Sequence, residues 1–112
     1  MRITPKSARA AVALARATAF YDTSLPVGLR LVVKPLKKGI EGTYDVTKKE
    51  IEFNPDEIDS ADLLLRVAAH ELVHASLAQS GQFNVKRHHD TAFKKLAAIV
   101  CKRMGWGRNA IN

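Results

Sequence analysis

Apolar residues recur at three- and four-residue spacing near the start of the chain, at Ala8, Val12, Ala15 and Ala19, while Arg9 and Arg16 fall on another face. That period predicts an amphipathic helix. Thr4 and Pro5 supply its N-cap and first helical residue, and Asp22 to Pro26 should end it. Leu29–Val33 then reads as a strand closed by Lys34-Pro35, and Gly39 and Gly42 mark a loop. Apolar and polar positions alternate through Thr43–Val46 and Glu50–Phe53, which Thr47-Lys48-Lys49 join. This predicts a hairpin with one wet face, stopped by Asn54-Pro55. From Asp62 to Gln79 the period returns to that of a helix, capped by Asp59 or Ser60 and stopped by Gly81. A last helix is expected from Thr91 to Met104, with Asp90 as N-cap and Gly105-Trp106-Gly107 as its end. The order is one helix, three strands and two helices, an α+β chain whose 112 residues suit one domain, 1–112.

Composition changes this picture in two ways. No apolar run is long enough to span a bilayer, and Arg9 and Arg16 break the alanine-rich start, which argues against an export signal. A lone Cys101 excludes an internal disulfide and suits a reducing compartment, so a cytoplasmic location with no membrane partner is expected. Cys101 itself, in an apolar helical run, reads as a buried spacer. The net charge of +7 is also uneven: +4 in residues 1–20, −3 in 21–85 and +6 in 86–112. Basic ends of this kind suit either a nucleic-acid partner or simply a soluble surface.

The candidate chemistry lies in Ala69-His70-Glu71-Leu72-Val73-His74-Ala75. Residues four apart share a helix face one turn apart, so His70 and His74 can point two imidazoles at one ion. Glu71 lies one step round, where its carboxylate can reach a water on the metal without binding the metal. This is the HExxH arrangement of two zinc ligands and a general base. Two histidines and a glutamate among Leu63, Leu64, Val67, Leu72, Val73 and Leu77 are costly unless hydrogen-bonded or bound to metal. The pattern calls for one Zn2+ per chain.

A third ligand is needed. No glutamate occurs in residues 75–112, and Leu77 and Ser80 stand where a compact HExxHxxGxxH pattern needs Gly and His. Cys101 lies well inside the last helix. His88, His89 and Asp90 remain. His89 is favoured because it would share a helical face with Phe93, Leu96 and Val100. His88 is turned away by roughly a third of a turn, and Asp90 is more useful as a cap.

HELVHASLAQSG, followed after a loop by HDTAFKKLAAIV, resembles the SprT-like zinc metallopeptidases, whose eukaryotic members include Spartan. That family pairs HExxH with a His-Gly-x-x-Phe segment opening the next helix. His89 and Phe93 match its His and Phe, and Asp90 stands where the family has Gly. The hairpin GTYDVTKKEIEFNP also resembles the family's sheet segment. The resemblance covers roughly residues 25 to 104 and implies a reduced zincin fold, intracellular peptide-bond hydrolysis of a protein or peptide substrate, and action on proteins bound to DNA. The family's zinc-ribbon cysteines are missing, so a DNA role would rest on the basic ends, with Lys94, Lys95, Lys102 and Arg103 as candidate contacts. Stand-alone chains of this size resemble phage or prophage products. A zincin fold also implies an edge strand that pairs with extended substrate, from Gly42–Val46 or Glu50–Phe53, and an oxyanion-stabilising group, for which Tyr44, Arg87 and His88 are candidates. A zinc-containing module that binds DNA or protein with weak or no catalysis is the alternative.

Overall fold

The computed structural model describes residues 2–112. Three helices and a three-stranded mixed sheet form an α+β fold in the expected order: α1 (Pro5–Ala19), β1 (Arg30–Val33), β2 (Gly42–Asp45), β3 (Glu50–Phe53), α2 (Ala61–Gln79) and α3 (Thr91–Met104). Helix α1 opens with a capping box in which the Ser7 N–H donates to Thr4 Oγ1 at 3.1 Å and the Thr4 N–H donates to Ser7 Oγ at 2.8 Å. Its expected stripe, Ala8, Val12, Ala15 and Ala19, is buried. The small alanines let α1 lie close against α2 and α3.

The sheet order is β1-β3-β2. The β2–β3 hairpin is antiparallel, with Tyr44 opposite Ile51 and Thr43 opposite Glu52. β1 runs parallel to β3, with Leu31 opposite Ile51 and Val33 opposite Phe53. β3 is therefore central, which removes Glu50–Phe53 as a free edge and leaves β2. Ile51 and Phe53 are fully buried. The opposite face is drier than a wet face should be. Glu52 accepts from Thr43 Oγ1 at 2.7 Å and meets Lys34 Nζ at 2.6 Å, and Glu50 is buried beside Arg30. Lys34 and Thr43 hold the Glu52 carboxyl below its usual range by hydrogen bonding.

Two residues set where β2 begins. Asn54 is 1% exposed. Its side-chain amide donates to the carbonyls of Ile40 at 2.8 Å and Leu36 at 3.4 Å, its Oδ1 accepts from the Asp56 N–H at 3.0 Å, and its own N–H donates to the Glu41 carbonyl at 2.9 Å. The loop before β2 is thus tied to the end of β3. At Gly42 a Cβ would lie 2.7 Å from Val67 Cγ1 and 3.0 Å from the Glu52 carbonyl oxygen, so only glycine lets β2 sit this close to α2.

Helix α2 is the centre of the fold. Ser60, rather than Asp59, caps it by accepting from the Leu63 N–H at 3.1 Å. Gly81, at φ 75°, ends it, with the Gln82 N–H donating to the Leu77 carbonyl at 2.7 Å. Its middle is buried on nearly every side, from Val67 to Leu77. Helix α3 is capped by Asp90, whose Oδ1 accepts from the Phe93 N–H at 3.1 Å, and it buries Phe93, Ala97, Val100 and Cys101. Cys101 is a spacer, as expected. Beyond Gly105 (φ 77°) the chain turns back, half-burying Trp106 beneath the Arg66 guanidinium, 5.2 Å from the ring centroid, and burying Ile111. Among the described residues no helix is long and apolar enough to cross a membrane.

Candidate metal centre

His70 and His74 project from one face of α2 with ring centroids 5.0 Å apart. His89 reaches them from the turn before α3, its Nε2 standing 3.2 Å from His70 Nε2 and its ring stacked 5.1 Å from that of His74. One ligand atom from each of the three lies within 4.8 Å of the others, so the trio could hold a metal ion. Phe93, fully buried, forms a floor, its ring 4.7–5.0 Å from each imidazole.

His89 arrives by a different route from the helical face expected for it. Helix α3 begins at Thr91 after an extended N-cap at Asp90, so His89 belongs to the preceding turn. Asp90 caps the helix and stays out of the cluster. Its φ of −78° is open to any residue, so the aspartate where a glycine was expected imposes no strain. His88 packs on Phe83 at 5.0 Å between ring centroids and is 6.1 Å from the His74 ring.

The site is electrostatically prepared for a cation. Burial holds the His70 imidazole below its usual range, against the opposing effect of its hydrogen bond to the Ile111 carbonyl. Burial and the neighbouring histidines push His74 down to about 3, and burial also lowers His89. Each of these shifts favours the uncharged imidazole, the form that binds metal. Glu71 is 4% exposed and burial pushes its carboxyl up to about 8. Its Oε2 lies 3.9 Å from His70 Nε2. Glu71 and His70 share a cavity of 340 Å³ with His89, Gly42, Val67 and Ile111.

Two buried features bear on occupancy. His74 Nδ1 is buried without a hydrogen-bond partner among the described residues. A buried imidazole nitrogen left this way is unfavourable by a few kcal/mol at most, of order 1–3, and needs an explanation such as a bound ion or water. His70, by contrast, is oriented. Its Nδ1 contacts the Ile111 carbonyl at 2.5 Å. A carbonyl only accepts, so Nδ1 carries the proton and the Nε2 lone pair faces His89.

The other expected site residues are placed elsewhere. Tyr44 is half-buried in β2, packed on the core, and its hydroxyl pKa is raised by burial and then by Asp45. Arg87 is exposed in the turn, its N–H donating to Asn84 Oδ1 at 3.1 Å. Neither these two nor His88 lines the cavity. Lys94 and Lys95 line a separate cleft of 380 Å³ together with Thr91, Arg108, Asn109 and Asn112. Lys102 is exposed on α3. Arg103 is committed to structure: Nη1 and Nη2 donate to the Asp22 carboxylate at 2.7 and 3.0 Å, Nη1 donates to the Ala19 carbonyl at 3.1 Å, and the guanidinium covers Tyr21 at 4.5 Å. Three contributors escaped the sequence reading: Ile111, Asn54 and Arg108. The Asn-Pro at 54–55 was visible only as a strand stop, and nothing local distinguishes Ile111 or Arg108 from tail residues.

A model of the SprT-like family matches residues 11–110. No curated protein matches the chain. No solved structure matches it either.

Proposed function

The chain belongs to the SprT-like family, and from that premise we propose that it is a zinc-dependent endopeptidase in which His70, His74 and His89 hold the metal and Glu71 is the general base. The observation that carries the reading is the meeting of His89 with the α2 pair around the cavity that Glu71 lines. The donor set fits zinc. Nitrogen ligands of a tetrahedral zinc lie about 3.3–3.4 Å apart, from bond lengths of about 2.0–2.1 Å, and His70 Nε2 and His89 Nε2 are 3.2 Å apart. Three neutral imidazoles with one position left open suit a catalytic rather than a structural zinc.

Bound there, zinc would supply a Lewis acid that makes a water acidic near neutral pH. Glu71 then takes the proton of the attacking water and delivers it to the leaving amine nitrogen. Its burial serves this role: without a cation the carboxyl keeps its proton to about pH 8, and a nearby positive charge favours the ionised base. The free edge of β2 offers backbone groups to an extended peptide by strand addition. Gly42 brings that edge close to Glu71, whose Cγ would be 3.6 Å from a Cβ there. Glu71→Gln tests the proposal. The variant should keep near-stoichiometric zinc by elemental analysis and lose peptide cleavage by about 10²–10⁴-fold, the usual scale for a general base. Undiminished cleavage would remove Glu71 from the chemistry.

A DNA-binding role, with hydrolysis directed at DNA-associated proteins or weak, is a second reading favoured by one observation. The cleft formed by Lys94, Lys95 and Arg108 contains no acidic residue, and none of the three is in an ion pair among the described residues. If it holds a phosphate backbone, DNA affinity should fall steeply with salt, and replacing Lys94, Lys95 and Arg108 should flatten that slope. Arg103 is left unchanged in that test because it is paired with Asp22. DNA affinity that ignores salt, or no affinity at all, would retire this reading.

A further inference from the structure

The segment after α3 carries no motif, yet it reaches His70 and lines the cavity beside the three histidines. It leaves the helix through Gly105, where the Trp106 N–H donates to the Cys101 carbonyl at 2.9 Å. It is then held at three points. Trp106 packs on the core beneath Arg66. The Ala110 N–H donates to the Gly107 carbonyl at 3.1 Å, and Asn112 Nδ2 donates to Asn109 Oδ1 at 2.8 Å, folding the segment on itself. The Ile111 side chain is 4% exposed and belongs to the main apolar core. These anchors leave the Ile111 carbonyl against His70 Nδ1.

We propose that Ile111 is a positioning residue for the metal site: its buried side chain docks the returning segment so that its carbonyl fixes His70 in the Nδ1–H tautomer, with the Nε2 lone pair facing His89. The physical need is clear. A neutral imidazole divides between two tautomers, and only one places a lone pair where His89 and His74 converge. An acceptor on the far nitrogen makes that choice before any ion arrives and also holds the ring's orientation. Among the described residues His74 Nδ1 has no such partner, whereas His70 is oriented from outside the cluster by the Ile111 carbonyl. The inference rests on the metal reading but not on hydrolysis.

The test uses the full chain. In the metal-free protein, long-range nitrogen-15 NMR should find His70 in the Nδ1–H tautomer. Ile111→Val keeps a branched anchor and should leave both that signature and zinc affinity, measured against a chromogenic chelator, within about twofold of the parent. Ile111→Gly frees the segment. It should mix the His70 tautomers and weaken zinc binding by about 10–100-fold, the scale found for outer-shell partners of metal ligands. Val12→Ala, which thins the core at α1, should lower stability without moving either readout. A parent protein with His70 in the Nε2–H tautomer would overturn the proposal with no variant needed. So would Ile111→Gly with parental zinc affinity, or Val12→Ala with an equal loss. Peptide cleavage enters none of these readouts, so the failure of the peptidase reading would be seen separately, in Glu71→Gln.

Discussion

His70, Glu71 and His74 stand on a helix whose middle is buried on nearly every side, whereas His89 stands on an exposed turn and Ile111 on a segment without regular structure. The helical half spends stability on its polar groups. Glu71 and His74 are 4% and 6% exposed, and His74 Nδ1 has no hydrogen-bond partner among the described residues. The other half spends little, because His89 keeps one side in solvent and Ile111 is an ordinary core residue. A helix thus carries the buried polar groups, and irregular connections supply what completes the site. Such a division is expected where a preorganised pair waits for its third ligand.

Leucine at each metal-ligand position should separate the halves most sharply. His74→Leu and His89→Leu should both reduce bound zinc from about one per chain to none measurable, the largest effect open to either substitution. Their metal-free stabilities should then diverge. His74→Leu replaces an unpartnered buried imidazole with an apolar side chain among Phe83 and Phe93, and should raise stability by about 1–2 kcal/mol. His89→Leu, on the surface, should change it by no more than about 0.5 kcal/mol. Denaturant melts of the two chelated variants measure the difference. Equal stabilities would mean that the helical half carries no such penalty.

Short of the loss of zinc itself, an effect of about 2–4 kcal/mol should appear in the pH dependence of the metal-free protein. The folded Glu71 carboxyl titrates near 8 against an ordinary 4.5, because burial disfavours its charge. The folded chain therefore holds a proton that the unfolded chain has released. Glu71's contribution is fully present below pH 4.5 and is lost as pH rises through 8. His74 works the other way. Its folded value of about 3 lies below the ordinary 6.5, so its contribution is present above pH 6.5 and is lost as pH falls toward 3. Comparing Glu71→Gln with the parent isolates the glutamate. The variant should be the more stable at pH 7.5, with the gap closing near pH 4.5. Saturating zinc should shrink the gap at pH 7.5, because the cation stabilises the ionised carboxylate.

The same division explains what could be read from the sequence. His70, Glu71 and His74 are legible because helical periodicity converts spacing into a shared face. The caps at Thr4, Ser60 and Asp90 and the stops at Gly81 and Gly105 are legible because each is a local backbone requirement. His89 could be reached by elimination, but the helical face invoked for it does not extend that far. The chain before Asp90 turns instead. The parallel pairing of β1 with β3 joins segments far apart in sequence and leaves no local trace. Asn54, Ile111 and Arg108 were hidden for the same reason. Arg103 looked like a surface cation because its partner, Asp22, lies 81 positions away.

The smallest effect tests the joint between the halves, at Asp90. Its Oδ1 accepts the Phe93 N–H at 3.1 Å and so fixes the first turn of α3 between His89 and the phenyl floor under all three imidazoles. Replacing an aspartate N-cap with alanine typically costs about 1 kcal/mol, and with glycine only a few tenths, because glycine leaves water free to serve the exposed N–H groups. Asp90→Asn should match the parent, Asp90→Gly should lose a few tenths of a kcal/mol, and Asp90→Ala about 1 kcal/mol. The backbone here, at φ −78°, needs no glycine. Hence the aspartate of this chain opens α3 directly after His89 without needing the glycine of the resembling motif. Zinc affinity should follow the same order, falling only a few-fold in Asp90→Ala, since the cap positions His89 through the chain and not by contact. If Asp90→Gly instead proves as damaging as Asp90→Ala, the aspartate has a role that capping does not describe, and the joint would have to be sought in its charge at the helix N-terminus.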